Sequence, residues 1–180
     1  MEITSRIELP LLLMHLELPL VGAEIGVAGG SNSADFLNEG LEKIYCIDNW
    51  ATIGTVGDMA YPQQWHDDNY ALTVESLSQF DSSRYTILRG LSSEMCRHIP
   101  DNSLGLVYID GDHSYEGCKE DIKNYYPKLV DGGIMAFHDF MNMGYGVAKA
   151  VIEFANENVI PIHYIPETSI GDAGAWLRKQ

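Results

Sequence analysis

The sequence predicts an α/β fold: a doubly wound, mostly parallel sheet of seven strands whose last two form an antiparallel hairpin. Three observations predict it. Short apolar runs alternate with helical patterns from Val21 to Asn156. Two further runs, Val159 to Ile165 and Ala173 to Leu177, then follow with no helix between them. Several runs also end abruptly in glycine, acid or histidine, and in open α/β sheets ligands lie beyond the carboxyl ends of the strands.

The elements follow in order. Ser5 to Leu18 reads as a short apolar helix or extended cover segment, limited by Pro10 and Pro19. Val21 to Val27 is the first strand and runs into Ala28-Gly29-Gly30-Ser31-Asn32-Ser33. Glycines there let the backbone turn tightly, and Ser31 or Ser33 can cap a helix from Ala34 to Asn38. Strand, glycine turn and helix start are the frame of a nucleotide-type site, although Ala28 breaks the GxGxxG pattern. Lys43 to Ile47 is the second strand and ends in Asp48-Asn49-Trp50. An acid about 20 residues past a glycine turn is where a ribose hydroxyl pair is held; a turn cap is the plainer alternative. Ala51 to Pro62 has the composition of a loop or lid. Gln63 to Phe80 returns to helix, and Tyr85 to Leu88 is the third strand, ending in Arg89-Gly90-Leu91-Ser92. A helical turn spans Glu94 to His98.

Leu104 to Ile109 is the fourth strand, and at its end the polarity inverts into Asp110-Gly111-Asp112-His113. A strand that merely turns would also collect Asp and Gly. Tyr115 to Tyr126 is a helix, Asp131-Gly132-Gly133 a tight turn, and Ile134 to Phe137 the fifth strand, ending in His138-Asp139. Gly146 to Asn156 is the last helix. If strands four and five are neighbours, Asp110, His138 and Asp139 converge, and carboxylates with an imidazole suit a divalent metal. Asp112 reads as a cap of the helix that follows. His15, His66, His98 and His163 have no motif around them.

Composition narrows the function. The chain has 180 residues, 46% hydrophobic and 21% charged, the size and make-up of one domain over 1–180 with residues 1–20 as its cover segment. The net charge is -15, from 26 acidic and 11 basic side chains. Without a basic stripe, neither a nucleic acid nor an anionic membrane is an expected partner. Cys46, Cys96 and Cys118 form no CxxC pair and read as free thiols of a reducing compartment. The run Leu9 to Leu16 is too short to span a bilayer, and neither a basic flank nor a cleavage site accompanies it, so a cytoplasmic protein is expected.

Glu24-Ile25-Gly26-Val27-Ala28-Gly29-Gly30-Ser31, Asp48, Tyr108-Ile109-Asp110-Gly111-Asp112-His113-Ser114-Tyr115 and Gly132-Gly133 leading to His138-Asp139 resemble class I S-adenosylmethionine-dependent methyltransferases. More narrowly, they are similar to the O-methyltransferases grouped with macrocin and mycinamicin sugar methyltransferases and cephalosporin-biosynthesis proteins. The resemblance runs from about Val21 to Leu177 and implies the Rossmann-like fold of that class. It also implies that Gly26, Gly29, Gly30 and Ser31 lie under the methionine part of the cofactor, with Glu24 close to its amino group. Asp48 would bind the ribose, and Asn49, Trp50, Leu91 and Ser92 would border the adenine. Asp110, His138 and Asp139 would hold a divalent metal, magnesium first. His113, three residues past Asp110, matches a proposed catalytic base. The family pattern usually has an acid or amide where His138 stands.

The expected function is metal-assisted O-methylation of a small hydroxylated acceptor by S-adenosylmethionine. Two other readings stay open: an NAD(P)-dependent oxidoreductase on a similar fold, against which Ala28 and the terminal strand pair speak, and a non-catalytic cofactor-binding module. The short N-terminal segment leaves acceptor recognition to the loop from Ala51 to Trp65 or to a second subunit of a homo-oligomer.

Overall fold

A computed structural model describes residues 1–53, 60–142, 144–166 and 173–180. Its strands are β1 (Val21–Ile25), β2 (Lys43–Asp48), β3 (Tyr85–Arg89), β4 (Leu104–Ile109), β5 (Leu129–Phe137), β6 (His163–Ile165) and β7 (Gly174–Arg178). The helices are α1 (Leu9–His15), α2 (Ser31–Asn38), α3 (Gln63–Leu77), α4 (Ser92–Met95), α5 (Tyr115–Tyr125) and α6 (Val147–Asn158). They build a seven-stranded sheet of order β3-β2-β1-β4-β5-β7-β6. The first five strands pair in parallel, and β7 pairs antiparallel with both β5 and β6. The expected class and terminal hairpin are therefore present. No helix of the described residues is long and apolar enough to cross a membrane.

Strand alternation divides the core between the two faces. Ala23, Ile25, Val107, Ile109, Met135 and Phe137 pack with Ile122 and Tyr125 of α5 and Val147 and Val151 of α6. Their sequence neighbours Leu106, Tyr108, Ile134 and Ala136 face the other way, onto Leu9, Leu12 and Leu13 of α1 and Phe36 and Leu37 of α2. A strand covered on both faces reads as a continuous apolar run, which is why β4 is buried at all six positions.

Several boundaries differ from expectation. Pro10 lies in the first turn of α1, where its missing N–H is harmless, so it opens the helix. Gly30, at φ +82°, takes the N-cap position of α2, and neither Ser31 nor Ser33 does. The turn expected at Asp131-Gly132-Gly133 is absorbed into β5, whose pairing with β4 shifts register between Leu104 and Leu106. Val159 ends α6 in the left-handed region at φ 57°, which delays β6 to His163. Of the lid segment, residues 54–59 lie outside the described residues. The base of that segment is closed by Thr52 Oγ1 donating to the Tyr61 carbonyl (2.7 Å) and Gln63 Nε2 donating to the Trp50 carbonyl (2.9 Å).

Candidate functional site

The strand order reverses between β1 and β4, and crevices form at such switch points. Four strand ends meet there. Gly26 donates to the Ile47 carbonyl (2.9 Å), Asp110 to the Ile25 carbonyl (2.8 Å) and His138 to the Ile109 carbonyl (3.0 Å). The ends of β1, β2, β4 and β5 are thereby stitched together.

Gly26 shows why glycine is required. Its φ is +86°, and a Cβ would lie 2.1 Å from the Asp110 carbonyl oxygen and 2.6 Å from the Gly111 Cα. The turn thus presses directly on the strand end that carries the acids. Ala28, at φ 47°, adopts the left-handed region without being glycine. Its carbonyl accepts from Trp50 Nε1 (2.8 Å) and Thr73 Oγ1 (2.7 Å), which lock the conformation. Gly29 stands close to Asn69, and Gly30 close to Thr73. Ser31 is exposed.

Asp48 braces the same turn. Its Oδ2 accepts from the Val27 and Ala28 amides (3.0 Å each), and its Oδ1 accepts from the Trp50 amide (2.8 Å). A carboxylate has about four lone-pair sites, so three amides leave room for one further donor. Asn49 is partly buried, with its Oδ1 accepting from the Ala51 amide (2.6 Å). Trp50 is placed differently from expectation. It is 1% exposed, stands edge-on to Tyr70 and belongs to the core. Its role here is to pin the glycine turn. Leu91 is exposed and precedes α4. Ser92 is tied to α5: its Oγ donates to Asp121 Oδ1 (2.5 Å), and its carbonyl accepts from Tyr125 (2.9 Å).

Glu24 is fully buried on β1. Its Oε2 accepts from Ser33 Oγ, and its Oε1 has no hydrogen-bond partner. Burial pushes its pKa up to about 8, against the Ser33 bond and with the help of nearby Asp110. A carboxyl whose folded pKa lies above its ordinary 4.5 favours the folded state only while protonated. The Glu24 contribution to stability should therefore fall as pH rises from about 4.5 to about 8 and be flat above. Buried Asp121, raised to about 7 chiefly by burial, acts in the same direction. Denaturant unfolding at pH 5 and pH 8 should differ by a few kcal/mol on the order-of-magnitude scale of these shifts. Glu24→Gln should shrink that difference; an unchanged difference would mean that Glu24 is not its source.

The acidic end is a compact four-residue cluster. His113 Nε2 lies 3.4 Å from Asp110 Oδ1 and 3.3 Å from Asp139 Oδ2. His138 Nδ1 lies 3.2 Å from Asp110 Oδ1 and 2.7 Å from Asp139 Oδ2. Asp139 holds φ 54°, a strained setting of the kind that collects at functional sites. Burial opposes the charges, but mutual pairing prevails: Asp110 is lowered, His113 raised, and His138 pushed up to about 10. The ligand atoms of Asp110, His113 and Asp139 lie within 4.8 Å of one another, a spacing that could hold a metal ion. The sequence paired His138 with the two acids, and the structure places His113 beside them as well. Asp112, as expected, is structural, with its Oδ1 accepting from the Ser114 amide (2.8 Å) at the start of α5.

Other contacts were not foreseen. Asn32 Nδ2 reaches Asp110 Oδ2 (3.5 Å) while its Oδ1 accepts from Arg6 Nε (3.0 Å), linking the N-terminal segment to the acids. Tyr145 stacks on His113 with ring centroids 4.6 Å apart. Thr73, Asp121 and Tyr145 lie far in sequence from the residues they hold. Ser33 and Asn32 did lie in the glycine turn, where the strand-turn-helix frame was the signal that could have found them.

Comparison with known proteins gives this arrangement relatives. A family profile described as "Methyltransferase domain" matches residues 23–140. The calicheamicin methyltransferase CalS11 is 22% identical, with 96% of this chain and 77% of that chain covered and a TM-score of 0.69. The O-methyltransferase NovP is 21% identical, with 97% and 77% covered and a TM-score of 0.68. TomG from Streptomyces achromogenes, solved in complex with SAM, is 12% identical, with 97% and 79% covered and a TM-score of 0.70. At these identities the likeness is one of fold. Among curated sequences, uncharacterized protein y4gI of Sinorhizobium fredii is 35% identical over 71 residues, which are 38% of this chain and 8% of that one.

Proposed function

Because the chain belongs to the methyltransferase-domain family and has the class I methyltransferase fold, we propose that it moves the methyl group of S-adenosylmethionine to a hydroxyl of a small acceptor, with a divalent metal, magnesium first, assisting. The observation that carries this reading is the meeting of the glycine turn and the Asp110–Asp139 cluster at one switch point. The residues fit both groups. The turn has no room for a Cβ at Gly26, and beside it Glu24 Oε1 is a buried acceptor awaiting a donor. The acids and imidazoles are hard and borderline donors of the kind divalent metals take. CalS11, similar in fold, is a TDP-rhamnose 3'-O-methyltransferase, which makes sugar hydroxyls the first acceptors to try.

The chain's own residues divide the work. Asp48 accepts from the ribose while bracing the turn, and Asn49, Leu91 and Ser92 border the adenine. Asp110 and Asp139, with one imidazole, hold the metal, which when bound lowers the pKa of a hydroxyl and orients it. A ring nitrogen carries either a proton or a metal, so the imidazole left over takes the acceptor's proton, and the paired carboxylates stabilise the imidazolium that results. His138 Nδ1 lies nearer both acids than His113 Nε2 does, which supports His138 as the third ligand and His113 as the proton acceptor, although His113 is also spaced to reach an ion. Methyl transfer itself then needs mainly in-line placement.

The reading is tested by incubating the protein with methyl-labelled S-adenosylmethionine, magnesium and a panel of hydroxylated acceptors. Transfer of label to an acceptor oxygen supports it; consumption of NAD(P)H in a parallel arm with no label transferred contradicts it. Asp48→Ala should lower affinity for S-adenosylhomocysteine about a hundredfold, since it removes the ribose acceptor and leaves three amides unpartnered. Calorimetry on the folded variant checks this, and unchanged affinity would make Asp48 a brace alone.

A further inference from the structure

Ser33 lies in the first turn of α2 and is fully buried. Its hydroxyl donates to Glu24 Oε2 and stands 3.2 Å from Cys46 Sγ. Ser33 Oγ and Cys46 Sγ share the second contact, in which either can donate. The Ser33 bond ties down one oxygen of the Glu24 carboxyl.

The other oxygen, Glu24 Oε1, is buried without a partner. An unpartnered buried acceptor is unfavourable, and although the Asn32 side chain stands near this carboxyl, Oε1 is open to a donor brought by a ligand. Glu24 lies just before the glycine turn, and the donor therefore arrives with the ligand of that turn. The ammonium of S-adenosylmethionine is such a donor, and its positive charge favours the ionised form of the Glu24 carboxyl that burial disfavours.

We propose that Ser33 is a positioning residue for cofactor binding: by holding Glu24 Oε2 it fixes Oε1 as the acceptor for the cofactor's ammonium, directly or through one water. This rests on the methyltransferase reading above. The Ser33 hydroxyl acts through Glu24, so its effect must pass through the amino-acid end of the ligand and leave the adenosine end unchanged.

Two ligands separate these ends. S-adenosylhomocysteine carries the ammonium, whereas 5′-methylthioadenosine keeps the nucleoside and thioether and lacks the amino acid. In calorimetric titrations, Ser33→Ala should weaken S-adenosylhomocysteine about tenfold, or about 1.4 kcal/mol, and leave methylthioadenosine within about twofold. In a Glu24→Gln background, Ser33→Ala should have no further effect. Ser33→Cys, nearly isosteric and a weaker donor, makes the same comparison if Ser33→Ala does not fold. Equal loss for both ligands, no loss for S-adenosylhomocysteine, or additive effects of the two substitutions would each overturn the proposal. Binding of neither ligand by the unsubstituted protein would overturn the methyltransferase reading itself.

Discussion

Asp110→Ala is expected to reduce methyl transfer by about 10²–10⁴-fold while leaving affinity for S-adenosylhomocysteine within a few fold. The separation follows from which atoms of Asp110 do what. Its backbone supports the turn, through the amide bonded to Ile25 and the carbonyl packed against Gly26. Alanine keeps both. Its carboxylate has a different task, pairing with His113 and His138. Losing it removes a donor of the proposed metal site and one of the two anionic partners that raise both imidazoles. Transfer rates and calorimetry on the same preparation check the split. Loss of transfer and cofactor affinity in equal measure would show one undivided site.

Gly26→Ala is expected to act on the fold itself. The new Cβ would meet backbone, the carbonyl oxygen of Asp110 at 2.1 Å, and no side-chain rotation can relieve that. The φ of +86° adds the cost of a left-handed setting for a non-glycine residue. Together these should cost about 3 kcal/mol or more, which in a chain of this size lowers Tm by roughly 10 °C. Cofactor affinity should fall too, because the end of β4 must move. A thermal melt within about 2 °C of the unsubstituted protein would mean that the turn is not held as described.

The parts of the site that were readable before the fold was known are those written into strand ends. β4 is buried on both faces, so its apolar run stops where water begins, and Asp110 marks that point, although a plain turn would place an acid there too. The same logic found His138-Asp139 and the glycine turn. It could not settle side-chain direction. Trp50, two residues past a strand-end acid, was expected at the adenine, but its indole is buried and donates to the Ala28 carbonyl. Nor could it choose between imidazoles. His113 and His138 face the same two carboxylates, His138 at the shorter distances. Ser33 looked like a helix cap because a serine near a glycine turn usually is one; with Gly30 at the cap, its hydroxyl instead serves Glu24. The length of β5 was missed because Gly132-Gly133 reads locally as a turn, whereas pairing along β4 carries the chain through it.

Every functional step above depends on the glycine turn and Asp48 forming a site for S-adenosylmethionine. Titrating S-adenosylhomocysteine into the unsubstituted protein by calorimetry decides whether they do, with NAD as the competing ligand. One saturable site per chain for S-adenosylhomocysteine, and no heat with NAD, is the expected result. Saturable binding of NAD, or the absence of any site for S-adenosylhomocysteine, would contradict it.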